Sequence, residues 1–508
     1  MLNDNKVNDL KNLIKNSFRV RPNQDPIYID VADHLVRLGA PQHQVIFGRR
    51  GTGKSCLLVH FNNLESKKEK SLSIYIETDE IKRLGYPDVL IRLLLSIMEK
   101  THSKKQWWRK LRFKKTKIHK HILELRSLLD QAEKRKIKQE ESNSSNTGVK
   151  GGYSGIDASF SKTSAFGKLS EFEESKLDTL ERYLSDYKDA LQEELSKLKV
   201  DSASVLIDDF YLIKKERQAD VIDFIHRLLR GTNFYLKIGT VRHRTKLVRN
   251  DGQTIGVVLD EDIEQINLDR TLEDLTSPSQ FLAGILNSMG ENVNLTDAST
   301  CLFNQHAFEK LVIASGGVPR DFLTIFVNAI DLALASGQNN HLTPSNIWKA
   351  AGSFSYRNKL QNLRTDVSSD AESIEKVFRD LLDFTIVNKK RTCFLISQNE
   401  AKIETAAHEF ILQLMDGKLI HVIEADTSAA SNRPGRYEAY TLDFSLFMEP
   451  RRRGIEIVEF WNFDDGGRRI GVRESPIYPL MNAKNAIGSN ISGVETETFI
   501  EDMANGKQ

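Results

Sequence analysis

Cysteine is scarce in this chain. Its 508 residues include only Cys56, Cys301 and Cys393, far apart and without a C-x-x-C pair. That spacing argues against a disulfide framework and a thiolate zinc site, and fits a reducing cytoplasm. No apolar run approaches the roughly 18 residues of a membrane span. The opening MLNDNKVNDLKNLIKN is charged throughout and does not read as a signal peptide. A net charge of only +2 means that any nucleic-acid surface must be local. His60, His119, His121, His226 and His243 lack metal-ligand spacing. No nucleophile motif is evident. What remains is ordinary globular composition, 40% hydrophobic and 28% charged, at a length that suits two to four domains.

Against this background one segment stands out. Gly48-Arg49-Arg50-Gly51-Thr52-Gly53-Lys54-Ser55 is a complete G-x-x-x-x-G-K-[ST] phosphate-binding loop. The apolar run Val45-Ile46-Phe47 precedes it and Cys56-Leu57-Leu58-Val59 opens a helix after it, the strand–loop–helix setting the motif needs. Its glycines let backbone N–H groups turn onto a phosphate, and the helix start adds positive potential. Residues 48–56 are therefore read as an ATP-binding segment. Lys54 would reach the β- and γ-phosphates, and Ser55 would ligate Mg²⁺.

A second apolar run, Ser204-Val205-Leu206-Ile207, ends in Asp208-Asp209. This carboxylate-tipped strand is expected beside the phosphate-loop strand. Asp208 is assigned to Mg²⁺, and Asp209 to orienting or deprotonating the attacking water. A later strand, 234–239, runs into Thr240-Val241-Arg242-His243-Arg244. Thr240 could hydrogen-bond the attacking water or phosphate. Arg242, Arg244 or Arg270 could read nucleotide charge, in cis or from a neighbouring subunit. Ser315-Gly316-Gly317-Val318-Pro319-Arg320 separates two helical patterns, 302–314 and 319–335. The glycines end one helix, and Pro319 starts the next. Arg320 then sits at a helix start, where a cation opposes the helix dipole, so an anionic partner such as nucleotide phosphate is implied.

The remaining patterns suggest a division into parts. Pro22 and Pro26 make 18–30 an extended lead-in, with a helix from Val31. Residues 1–102 and 200–270 form the nucleotide-binding core. Residues 103–199 are an insertion. Ile118, Ile122, Leu125, Leu129 and Ala132 alternate at fours and threes, as do Leu177, Leu180, Leu184, Tyr187 and Leu191, so a coiled-coil hairpin is expected. The first arm, 103–139, carries fourteen basic and three acidic residues; the second, 168–199, carries nine acidic and six basic. Such opposite charges favour antiparallel pairing. Trp107, Trp108 and Phe113 lie among cations. They could stack on bases, meet a membrane surface or a protein, or anchor the hairpin. Residues 271–360 read as a helical lid. Residues 370–450 alternate as helix (372–387), strand (393–397), helix (401–415) and two strands (421–424 and 437–442), the order of a winged helix. A C-terminal extension, 451–508, holds a strand-like 455–460 and a tail that looks poorly ordered from Asn482.

Taken in order, the phosphate loop (Gly48–Ser55), Asp208–Asp209, Thr240, the G-G-x-P-R element (Gly316–Arg320) and the winged-helix pattern (372–447) resemble AAA+ ATPases of the origin-recognition initiator type. The resemblance implies an α/β P-loop core, an all-α lid and a C-terminal winged helix. It also implies ATP and Mg²⁺ as cofactors, hydrolysis, DNA or a DNA-bound partner as client, and a nucleotide-dependent oligomer. Three features depart from it. Asp-Asp replaces the usual Asp-Glu, which implies slow hydrolysis. Thr240-Val241-Arg242 resembles the STAND signalling NTPases, which implies a switch with a protein client, for instance in antiphage defence. The inserted hairpin has no place in a simple initiator. A DNA-reading second helix should be basic, yet Glu400, Glu404, Glu409 and Asp416 outweigh Lys402 and Lys418, which leaves the loop arginines Arg433 and Arg436 as phosphate contacts.

Overall fold

The computed structural model describes residues 1–21, 24–30, 33–103, 116–130, 175–304, 306–365, 371–430, 433–446 and 454–488. After an N-terminal helix α1 (Asn5–Ser17) and a short α2 (His34–Leu38) come β1 (Gln44–Phe47), α3 (Lys54–Ser66), β2 (Ser71–Glu77) and α4 (Asp88–Ser103). The insertion contributes α5 (117–130), α6 (175–182) and α7 (Leu184–Leu198). Then follow β3 (Ser202–Asp208), α8 (Lys215–Leu229), β4 (Phe234–Thr240), a small ribbon of β5 (Val248–Asn250) and β6 (Thr254–Gly256), and β7 (Glu264–Asn267).

Strands β2, β3, β4, β1 and β7 form one sheet in that order, every neighbouring pair parallel. Strands buried on both faces must be apolar on both, hence the near-continuous runs in β1 and β3. Val45 and Phe47 face the core with α4, α7 and α8; Ile46 faces Leu57 and Leu58 of α3. The carboxylate strand is not beside the phosphate-loop strand, as its motif had implied: β4 lies between them. Motifs mark strands but carry no neighbour order, which long crossover connections decide. Register brings the carboxyl ends together, with Phe47 level with Thr240 and Asn267, and Glu77 level with Asp208.

The insertion's expected seam enters this same core. Ile118, Ile122, Leu125, Leu180, Tyr187, Leu191 and Leu195 are buried with residues of α4 and the sheet. Helix α5 does run antiparallel to α7, joined by Lys117–Glu193 at 3.1 Å and by His121 edge-on to Tyr187. Arg126–Glu99 ties α5, and Lys176–Asp88 ties α6, back to α4. A three/four apolar spacing specifies one buried stripe, whatever covers it. Ala132 and the Trp107–Trp108–Phe113 run lie outside the described residues.

The lid comprises α9 (Thr276–Glu291), α10 (Ala298–Cys301), α11 (Ala307–Ala314), α12 (Pro319–Ala335) and α13 (Pro344–Thr365). The helix expected over 302–314 starts only at Ala307. Helix α1 packs on the lid through Val7, Leu10 and Ile14, with Lys11 paired to Asp331. The C-terminal part has α14 (Ala371–Leu382), β8 (Cys393–Ser397), α15 (Gln398–Ile403), α16 (Thr405–Asp416), β9 (Ile420–Thr427), β10 (Tyr437–Leu442) and α17 (Leu480–Gly488). Its antiparallel sheet runs β8-β10-β9. The single helix expected over 401–415 breaks at Glu404, and the one expected from Val31 starts at His34. Residues 455–460 form no strand, only an isolated bridge from Glu456 to Arg391. The stretch after Asn482, expected to be poorly ordered, begins inside α17, whose Leu480 and Ala483 pack into the C-terminal core. Leu395, Ile423, Ala439 and Phe444 share a core with lid helices, so lid and C-terminal part meet over buried apolar surface.

Candidate nucleotide-binding site

The phosphate loop connects β1 to α3 at the carboxyl edge of the sheet. Lys54 is 5% exposed, and its ammonium donates to the carbonyls of Gly48 (2.7 Å) and Arg49 (3.2 Å). Thr52 closes the same ring, its hydroxyl donating to the Arg49 carbonyl at 2.9 Å. The loop is thus already wrapped around its lysine. Burial pushes the Lys54 pKa down; the nearby Asp209 and Asp208 pull it back up.

Asp208 ends β3, 4% exposed. It accepts from Tyr75 Oη at 2.8 Å, from the Asp209 N–H at 2.9 Å, and from the Ser55 hydroxyl. Burial raises its pKa, opposed by these donors and by Lys54. Ser55 and Asp208 therefore sit in contact, an oxygen pair of the kind Mg²⁺ takes together with phosphates and water. Asp209 adopts φ +52° and lines the cavity beside Lys54, Arg50 and Arg320. Its carboxyl is pushed up to about 6, first by burial and then by repulsion from Asp208; Lys54, Arg50 and Arg320 oppose the rise.

The cavity in front of the loop holds about 500 Å³, within the usual size of small-ligand sites. Its cationic lining is Arg50, Lys54 and Arg320. A second, apolar wall is made by Phe18, Ile27 and Tyr28 of the lead-in and Phe281, Ile285 and Met289 of α9. The sequence offered no sign of that second wall: the lead-in read only as extended chain, and α9 only as helix. Ser55 and Cys56 also line the cavity, and the Cys56 thiol points at the Ile27 carbonyl, 3.4 Å away.

The G-G-V-P-R element closes on the loop directly. The Arg320 N–H donates to Gly51 O at 3.2 Å, and the guanidinium reaches Phe18 O at 3.2 Å. At Gly51 (φ +96°) a Cβ would stand 2.9 Å from Arg320 Cβ, so this approach requires glycine. Burial, then repulsion from Arg50, lowers the Arg320 pKa.

Other expected site residues point elsewhere. The Thr240 hydroxyl pairs with the Thr245 hydroxyl at 2.6 Å, and Thr240 does not line the cavity. Arg242 stacks on the Phe47 ring and bonds Gln265; Arg270 stacks on Phe281 and bonds Ser277. The Arg244 carbonyl accepts from Gln218. Arg49, although inside the motif, turns its side chain behind the loop, to Asp269, His421 and the carbonyls of Arg270 and Gly316. On the C-terminal part, α16 is held against the core: Glu409 meets Lys215 at 2.6 Å, and Asp416 accepts from the His243 N–H at 2.9 Å. Arg436 pairs with Asp426, and Arg433 is exposed.

The parallel sheet, its phosphate loop and the helical lid that closes on the loop form an α/β P-loop fold. No family model matches the chain, and no curated protein does. Among solved structures it is similar to the Aeropyrum pernix ORC1 protein in complex with DNA, at 12% identity over 88% of this chain and 93% of that one, with a TM-score of 0.33. The Walker-type ATPase of Pyrococcus abyssi is 14% identical over 85% and 98%, with a TM-score of 0.42. The Aeropyrum pernix ORC2 protein in ADPNP–ADP complexes is 11% identical over 95% and 93%, with a TM-score of 0.39. Among the described residues no helix is long and apolar enough to cross a membrane.

Proposed function

We propose that the chain is an ATP-binding switch that hydrolyses ATP slowly and acts on DNA or a DNA-bound partner. The observation that carries the nucleotide reading is the meeting of loop, Asp209 and Arg320 at one cavity with cationic and apolar lining, with Asp208 bonded to Ser55 beside it. Lys54 and Arg50 neutralise the β- and γ-phosphates. Ser55 and Asp208 would hold Mg²⁺, which would offset the charge on the phosphates. Asp209 takes the proton of the attacking water, at a pKa suited to a base near neutrality. Arg320 carries the presence of phosphate to α12. Slow turnover follows from the short Asp209 side chain and from Thr240 being bonded to Thr245.

A client reading must accommodate α16. As the third helix of a winged-helix pattern, after α14 and α15, it would be the groove reader, yet it is acidic and packed on the core. This favours a protein client, or release of the C-terminal part before DNA is met. Two measurements test the proposal. Lys54→Ala should lower ATP affinity about 100-fold, the loss expected for a charge-assisted phosphate contact; ATP binding at the original affinity sinks the loop assignment. DNA binding that weakens steeply with salt supports the first client, whereas nuclease-resistant, salt-insensitive protein capture supports the second.

A further inference from the structure

Arg49 belongs to the phosphate loop by sequence and to the C-terminal part by contact. Arg49 is 4% exposed, and its guanidinium is bonded by three separate pieces of chain. Asp269 Oδ1 takes both its backbone N–H (2.9 Å) and Nε (3.0 Å). Nη2 donates to the carbonyls of Arg270 (2.9 Å) and Gly316 (3.2 Å), and Nη1 lies 3.2 Å from Nδ1 of His421 on β9. His421 Nε2 is 2.7 Å from Asp443, which also accepts from Lys359 of α13 at 2.6 Å. Only one tautomer serves both contacts: Nε2–H donates to the Asp443 carboxylate, and Nδ1 accepts from Arg49. The fit is tight, since a Cβ on Gly316 would stand 2.1 Å from His421 Cε1. Meanwhile the Arg49 carbonyl is one of the two that hold Lys54.

We infer that His421 is a positioning residue for the nucleotide site: through Arg49, the docked C-terminal part holds the phosphate loop in its binding shape. The inference rests on the ATP reading above. Coupling of this kind is reciprocal, so a docked C-terminal part tightens ATP binding and ATP tightens docking by the same factor. A client that draws β9 away would loosen the nucleotide.

The test uses the full chain. His421→Gln keeps a donor near the Nε2 position, towards Asp443, and removes the Nδ1 acceptor. His421→Asn keeps a polar group at the Nδ1 position. Mg·ATP affinity is measured by calorimetry, and amide exchange of α16 and β9 with and without ATP. The Gln variant should bind ATP roughly 3- to 10-fold more weakly, the low end of allosteric couplings. It should also lose the ATP-dependent part of β9 protection, and His421→Asn should restore much of both. Adding Arg49→Ala to the Gln variant should cost no more than Arg49→Ala alone. Wild-type affinity in the Gln variant, or additive losses in the double variant, would overturn the inference. If the unmodified chain bound no ATP, the nucleotide reading would fail by itself; the latch would then stand or fall on β9 protection, which must be lower in the Gln variant than in the parent. Should His421→Gln not fold, Arg49→Lys breaks the same contact from the loop side and is read the same way.

Discussion

Replacing Asp416 by Asn should make the protein more stable, by an amount that grows with pH. Asp416 ends α16, where it is buried and accepts the His243 N–H. Burial, and then repulsion from Asp269, push its carboxyl up to about 7; the His243 bond, Arg244 and Arg49 only partly oppose this. In the unfolded chain the group returns to 3.8. Because the folded pKa is the higher one, the unfolded state releases its proton first as pH rises. Stability is therefore lost between about pH 4 and pH 7, and is level above that. Three pH units at about 1.36 kcal/mol each give an upper bound near 4 kcal/mol. Asparagine accepts the same N–H and never ionises. Urea unfolding of both proteins at pH 5, 6, 7 and 8 should show the advantage of Asn widening by up to about 1.4 kcal/mol per unit up to pH 7, then holding steady. The slope is the diagnostic, since a packing difference between the two side chains would not vary with pH. A pH-independent gap would mean that Asp416 is ionised in the fold, and the account of the docked α16 would be wrong.

Asp209→Asn should leave ATP affinity within about threefold while slowing hydrolysis at least about tenfold. The parent's rate should fall as pH drops below about 6, where Asp209 becomes protonated, and the variant's should not; a shared acid limb removes Asp209 as the base. Arg320→Ala should abolish the ATP-dependent exchange protection of α12 more than it weakens binding; protection that survives in the variant assigns lid closure to other contacts. Replacing 103–199 with a short linker should unfold the core. It deletes seven large buried apolar side chains at about 1.5 to 3 kcal/mol each, against a net stability of about 5 to 15 kcal/mol. Replacing only 131–174 spares all seven. A soluble 103–199 deletion with a parental melting curve would restore the picture of a free-standing arm.

Much of this was legible along the chain, because it is written locally. A phosphate loop is eight consecutive residues whose backbone geometry is their function. The carboxylate strand ends where its apolar run ends, and Gly316-Gly317 and Pro319 punctuate two helices. These signals placed Lys54, Ser55, Asp208, Asp209 and Arg320, and the structure brings all five to one site. Other features depended on what packs against what. Neighbour order put β4 between β1 and β3. An apolar stripe that could have sealed a separate hairpin seals the core instead. The apolar wall of the cavity joins Phe18, Ile27 and Tyr28 to α9, and the Arg49 side chain is held by Asp269 and by His421, 372 positions away. Periodicity says that a face is buried, and a motif says which backbone turns. The partner that buries the face, and the side of the loop to which a motif's arginine turns, exist only once distant segments are in contact.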